Sequence, residues 1–156
     1  MAEQLRAFGS NYVLMAALAG WFTAQFFKMI ITLIKDRKFN FFRMLFSTGG
    51  MPSSHTATVC ALFTASAIKY GLGSFQFAVT SILAMIVITD ALGVRRETGN
   101  QAKVLNRIIE EMFSGDHKRS EKALKELVGH SPIQVFMGAV VGISMTFVVA
   151  SIMHVS

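Results

Sequence analysis

Residues 47–55 read Ser47-Thr48-Gly49-Gly50-Met51-Pro52-Ser53-Ser54-His55 and run without interruption into an apolar segment that begins at Thr56. Adjacent glycines give the backbone conformations that side chains resist. A proline near the start of a helix loses nothing, because its missing N–H would have no partner there. Small hydroxyls beside the amides of a helix N-terminus form an anion site, reinforced by the positive end of the helix dipole. His55 adds a group that titrates near neutral pH. Two readings of the stretch stand side by side: a phosphate cradle with an acid or base built in, or a Gly-Pro turn whose serine caps a membrane helix.

The segment after this turn is apolar over about 54–70, and three further apolar stretches accompany it, about 12–34, 74–94 and 132–154. Stretches of about twenty residues suit membrane-spanning helices. The 54–70 stretch is short, which predicts that protein rather than lipid shelters part of it. Of the 156 residues 53% are hydrophobic and only 15% charged, where a soluble domain carries about 25%. Mean hydropathy is +0.50. The expected fold class is therefore all-α: a polytopic membrane bundle of about four transmembrane helices, forming a single integral domain over 1–156. Cys60 is the one cysteine, which excludes an internal disulfide and reads as a small buried hydrophobe. Ala17-Leu18-Ala19 resembles a signal-peptide cleavage site, but the apolar run continues past it, so the first span is expected to be retained.

Between the spans lie two polar connections. Lys35–Arg43 is basic and aromatic, as at a membrane interface. Arg95–Gly129 is charged, and within it Leu105, Ile108, Ile109 and Met112 recur at helical spacing, predicting a cytoplasmic amphipathic helix at the interface or on the protein. Ser120–Val128 predicts a second short helix closed by Gly129. Twelve of the fifteen lysines and arginines fall in these two connections, against only Arg6 and Lys69 on the opposite side. The positive-inside rule then places both connections in the cytoplasm and both termini outside, in the cytoplasmic (inner) membrane of a multi-pass protein. Basic residues of this kind report topology, so no nucleic-acid partner is expected.

With four spans, parity alone brings distant groups to one face. The second and fourth spans both begin on the cytoplasmic side, one with His55 in its first turn and the other with His130 just ahead of Ser131 and Pro132. The first ends there with Lys28 and Lys35, and the third with Asp90, Arg95 and Arg96. Helix starts favour anions, and guanidinium forks suit phosphate oxygens.

Pro52-Ser53-Ser54-His55 resembles the central Pro-Ser-Gly/Ser-His motif of the phosphatidic acid phosphatase type 2 and vanadium haloperoxidase superfamily. His130-Ser131-Pro132-Ile133-Gln134-Val135, with Gly138 and Gly142, is similar to that superfamily's last motif, His-x-x-x-Asp-Val-x-x-Gly-x-x-x-Gly. Lys28, followed seven residues later by Lys35, resembles the first motif, Lys-x6-Arg-Pro. The chain as a whole is most similar to the short, divergent bacterial and plastid branch, over Gln25 to Gly142, including Asp90-Ala-Leu-Gly-Val-Arg-Arg-Glu-Thr-Gly-Asn-Gln-Ala.

The resemblance implies a lipid phosphatase that works through a phosphohistidine and needs no metal or other cofactor. It makes His130 the nucleophile and His55 the general acid. Ser53 and Ser54 would hold phosphate oxygens, with Lys28 and Lys35. Such chemistry is sound, since a neutral imidazole attacks phosphorus while fixed cations stabilise the equatorial oxygens. The chain departs from the pattern in three places. Gln134 stands where the carboxylate that orients the nucleophile is expected, Leu124 stands where a Ser-Arg pair is expected, and the spans number four rather than six. Arg95 or Arg96 could supply the guanidinium and Asp90 the carboxylate.

Blander readings accompany these residues. Lys28 could snorkel from the end of its span. Asp90, costly against lipid, faces a cavity or the interface. One of Arg95 and Arg96 could be a topological anchor. Gly138 and Gly142 form a small-xxx-small pair that suits close helix packing, with Gly50 supporting the turn. His117 and His154 receive no role. The expected substrate is a lipid phosphate monoester of the phosphatidylglycerophosphate, phosphatidate or isoprenyl phosphate type, placing the protein in phospholipid metabolism, with membrane lipids around it and a homodimer as its assembly. The rival reading is a non-catalytic binder or transporter of lipid phosphates using the same cradle.

Overall fold

A computed structural model describes residues 1–36, 50–112 and 131–155, and every regular element in them is an α-helix. In chain order these are α1 (Ala2–Gly9), α2 (Tyr12–Asp36), α3 (Ser54–Tyr70), α4 (Phe75–Leu92), α5 (Val94–Met112) and α6 (Pro132–Ile152). Among the described residues, three apolar helical segments are long enough to cross a membrane: 12–34, the α4 segment, which runs on into α5, and 132–152. The fourth apolar helix, α3, has 17 residues and is packed against α2, α4 and α6. The Ser120–Val128 expectation lies outside the described residues.

Helices α2, α3 and α6 pack mutually and form the centre, while α4 lies mainly on α3 and touches α6. Their directions follow from which ends meet. Tyr12 and Val13 at the start of α2 share a cluster with Ala65 near the end of α3 and with Val149 and Ala150 at the end of α6. The Tyr12 hydroxyl donates to the Thr146 carbonyl at 3.4 Å. So α2 runs antiparallel to α3 and α6, and these two run parallel to each other.

The parallel pair is zipped by small residues in constant register. A methyl group added at Gly138 would lie 2.5 Å from the Ser53 carbonyl oxygen, and one at Gly142 would overlap the Ala57 carbonyl oxygen. One helical turn further, the Thr146 hydroxyl donates to the Ala61 carbonyl at 3.2 Å. Each of these pairs is separated by 85 residues. The ridge on each helix repeats every four residues, the spacing that lets two backbones approach in a membrane. Gly20 of α2 meets the same ridge from the other side, where its added Cβ would be 3.1 Å from both the Ala57 carbonyl oxygen and Ala61 Cβ. Close helix packing is thus what Gly138 and Gly142 do.

Helix α4 returns along α3 as a hairpin, with Ser74 capping its start and the Phe63 and Phe77 rings 5.1 Å apart. Gly93 ends it, and α5 begins at once. Helix α5 carries the expected amphipathic stripe, and Leu105, Ile108 and Met112 on it are exposed. Helix α1 was not expected, since 1–10 reads as a polar lead. Its only apolar periodicity is Leu5 and Phe8, three residues apart.

Candidate functional site

The end of the bundle opposite the Tyr12 cluster gathers the start of α3, the start of α6 and the last turns of α2 and α4. The start of α3 is built by the opening motif. Gly50 takes φ of +106°, a conformation L side chains rarely adopt, and the Met51–Pro52 peptide is cis. Ser53 is the N-cap: its hydroxyl accepts from the Thr56 N–H at 3.4 Å and from the Thr56 hydroxyl at 3.0 Å. Pro52 therefore precedes the cap rather than occupying the first helical turn, as the sequence reading of a helix-starting proline would have it. Ser53 and Thr56 are fully buried and Ser54 is 3% exposed. The remaining first-turn amides of α3, with Ser54 at the first position, have no acceptor within the helix.

The start of α6 is capped independently. The Ser131 hydroxyl accepts from the Gln134 N–H, and Gln134 Oε1 accepts from the Ser131 N–H at 3.0 Å, a reciprocal capping box with Pro132 just inside. Gln134 also turns its backbone carbonyl outward, where it accepts from the Ser53 N–H at 3.0 Å. The two helix starts are thereby joined main chain to main chain. Gly138 makes this possible, because any Cβ there would collide with Ser53.

Lys28 of α2 joins the motif from the other side. It is only 4% exposed, so it does not snorkel outward. Its stem lies on Gly50, whose added Cβ would sit 3.2 Å from Lys28 Cγ and 3.5 Å from Cδ. His55, in the first turn of α3, is exposed, and Asp90 near the end of α4 is half-buried. Lys28, His55 and Asp90 each take part in hydrogen-bond, ionic or ring interactions. Starting from the Phe63–Phe77 contact and rising about 1.5 Å per residue, the α4 hairpin carries Asp90 roughly a turn beyond the start of α3. Helices α2 and α4 flank α3, so Lys28 and Asp90 approach its start from different sides.

Of the sequence-derived residues, the structure thus brings together Lys28, Gly50, Ser53, Ser54, His55 and Gln134, with Asp90 at the same end. His130 lies outside the described residues, as do the side chains of Lys35, Arg95 and Arg96, whose backbones lie in α2 and α5. Among the described residues no three His, Cys, Asp or Glu side chains form a group able to hold a metal ion. Two contributors were missed. Thr56, which ties Ser53 into its cap, carries the signal of a hydroxyl three residues after an N-cap serine. Gly20, which admits the Ala57–Ala61 ridge, is legible only once the four-residue repeat of small residues Ser53, Ala57, Ala61 and Ala65 is noticed.

Known proteins place this arrangement in context. The sequence model described as the Divergent PAP2 family matches residues 9–145. The chain is 42% identical over 151 residues to a Bacillus subtilis (strain 168) protein named "Uncharacterized membrane protein YuiD", with 90% of this chain and 95% of that protein covered. No solved structure matches.

Proposed function

Because the chain belongs to the divergent PAP2 family, we propose that this membrane protein is a phosphatase acting on a lipid phosphate monoester. Phosphatidylglycerophosphate, phosphatidate and isoprenyl phosphates all fit the proposal. The observation that carries it is the Ser53 N–H to Gln134 carbonyl bond, which joins the two helix starts bearing the phosphatase-like motifs while Lys28 lies over Gly50 beside them. In this reading the first-turn amides around Ser54 and the Lys28 ammonium hold the phosphate oxygens, where two parallel helix dipoles add. The Ser53 hydroxyl, occupied in capping Thr56, shapes the turn. Lys35, Arg95 and Arg96 would add positive charge for the phosphate.

The covalent route is the one the family resemblance implies. His130 attacks phosphorus and forms a phosphohistidine, His55 protonates the departing alkoxide, and water then attacks the phosphohistidine to release inorganic phosphate and free His130. Asp90, at the same end of the bundle as the helix starts, would orient an imidazole. The test is phosphate release by purified protein from a panel of lipid phosphates, beside His130→Ala and His55→Ala. The reading expects release by the wild type that disappears in His130→Ala.

One observation favours a second reading, a non-catalytic binder of lipid phosphates. Gln134, at the position where a carboxylate would serve the nucleophile, spends its side-chain oxygen on the Ser131 amide. Lipid phosphate binding that survives without any phosphate release supports that alternative.

A further inference from the structure

Helix α4 has 18 residues, about 27 Å of helix, which nearly fills a hydrocarbon layer of about 30 Å. Its exposed side chains include Phe75, Val79, Ile82, Leu83, Met85 and Ile86, a face that suits acyl chains. Gly93, whose ψ of −88° departs from helical geometry, ends it, and Val94 opens α5 with no connecting residue between. The helical stretch from Phe75 to Ile109 runs for 35 residues. At about 52 Å it exceeds the hydrocarbon layer by roughly 20 Å, so α4 and α5 do not cross as one span. Helix α5 therefore begins at a membrane boundary. Asp90, near the end of α4, lies at the same end as the starts of α3 and α6, so that boundary is on the side of the candidate site.

Around its axis α5 has three distinct sides. Gly99 is buried and Ala102 and Asn106 are half-buried, and their spacing of three and four residues puts them on one side, turned to the protein. Val94, Leu105, Ile108 and Met112 form a second side roughly a quarter turn away. With Val104 at its edge, this apolar side is 45–72% exposed. Lys103 and Arg107, also exposed, lie roughly opposite the apolar side. The protein-facing side falls between the other two. This is the order expected of a helix lying flat against a bundle, with hydrocarbon beneath it and water above. A helix projecting into water would leave the apolar stripe wet, and one crossing the bilayer would put both cations among acyl chains.

We infer that α5 is an in-plane helix whose stripe of Val94, Leu105, Ile108 and Met112 docks on the bilayer surface, at the boundary between acyl chains and headgroups. Two observations single out lipid as the occupant. The stripe starts where the lipid-facing helix α4 stops, and the three sides of α5 follow the order that lipid, protein and water impose. Among the described helices α5 packs closely only on α4, so no described helix covers the stripe. The inference stands apart from the phosphate reading, since it needs only the membrane and the break at Gly93.

The test is nitroxide accessibility by electron paramagnetic resonance, on the full chain in phosphatidylcholine–phosphatidylglycerol vesicles and in a Cys60→Ala background. Leu105→Cys and Ile108→Cys carry the label on the stripe, and Lys103→Cys and Arg107→Cys carry it on the opposite side. All four side chains are exposed, so the labels displace no packed neighbour, and Met112→Cys replaces either stripe variant that does not fold. Molecular oxygen concentrates in hydrocarbon and a nickel chelate in water. The ratio of oxygen to nickel accessibility is expected to be at least tenfold higher at the stripe positions than at the cationic ones. Equal, nickel-dominated ratios at all four positions would show a helix held in water and overturn the inference. Stripe labels that neither quencher reaches would show protein on the stripe, a second copy included, and overturn it equally. Neither outcome depends on whether the protein releases phosphate.

Discussion

The Ser53 amide and the Gln134 carbonyl oxygen, 3.0 Å apart, join the starts of α3 and α6 directly through their main chains. A carbonyl in the first turn of a helix normally serves the amide four residues on. Here it also serves a neighbouring helix, which requires that helix to approach within backbone distance. Glycine at 138 permits the approach. The joint sets the separation of the two helix dipoles that the proposed site uses.

That dependence predicts unequal costs along the glycine ridge. Gly142→Ala overlaps the Ala57 backbone and Gly138→Ala crowds the Ser53 carbonyl at 2.5 Å, whereas an added methyl at Gly73 meets nothing within 4 Å. Overpacking of this kind costs about 1–3 kcal/mol. Thermal unfolding in detergent should show Gly142→Ala lowest, Gly138→Ala intermediate and Gly73→Ala close to the wild type. Phosphate release should fall in Gly138→Ala by more than its lost stability explains.

Gln134 gives a sharper test, because its side chain is committed to the Ser131 amide. Loss of a capping interaction costs about 0.5–2 kcal/mol. Gln134→Ala should lower the unfolding temperature and reduce turnover less than tenfold. Removing the correct orienting partner of a catalytic imidazole costs about 10⁴, and a loss of that size would show that Gln134 serves His130. Gln134→Glu, which preserves the capping box, should unfold like the wild type.

Gly50 and Lys28 should fail together. At φ +106° an alanine is strained, and its Cβ would press on the Lys28 stem at 3.2 Å. Gly50→Ala is expected to weaken phosphate binding to nearly the same degree as Lys28→Met, which keeps the stem and removes the charge. Hydrogen bonds to charged groups contribute about 1.5–3 kcal/mol, so binding of a lipid phosphate should weaken roughly tenfold or more in each. The double variant should be little worse than either single one, as expected of residues in direct contact. Independent, additive losses would show that Gly50 does not position Lys28.

Much of this architecture was legible in the residues. Apolar length marked the α2, α3, α4 and α6 segments, and Ser131-Pro132 marked the start of α6. Span parity alone put the ends bearing Lys28, Ser53, Asp90 and Gln134 together. The small-xxx-small pair Gly138 and Gly142 announced close packing, but not that Ser53 and Ala57 are what they meet, because the partner helix and its register are set by backbone contact. Gln134 was open to misreading for a related reason. In a linear pattern it replaces a carboxylate, and only coordinates reveal that its oxygen closes a capping box. Helix α1 escaped because two large apolar residues in eight, Leu5 and Phe8, give too little periodicity.

The central claim is a covalent one, and trapping the phosphoenzyme tests it most directly. Protein mixed with a lipid substrate labelled at its phosphate, quenched within one turnover, should carry label that is stable to alkali, lost in acid and mapped to the peptide containing His130. His55→Ala should still acquire that label, more slowly, and His130→Ala should acquire none. Phosphate release by the wild type with no such label, or with label that persists in His130→Ala, would contradict the account.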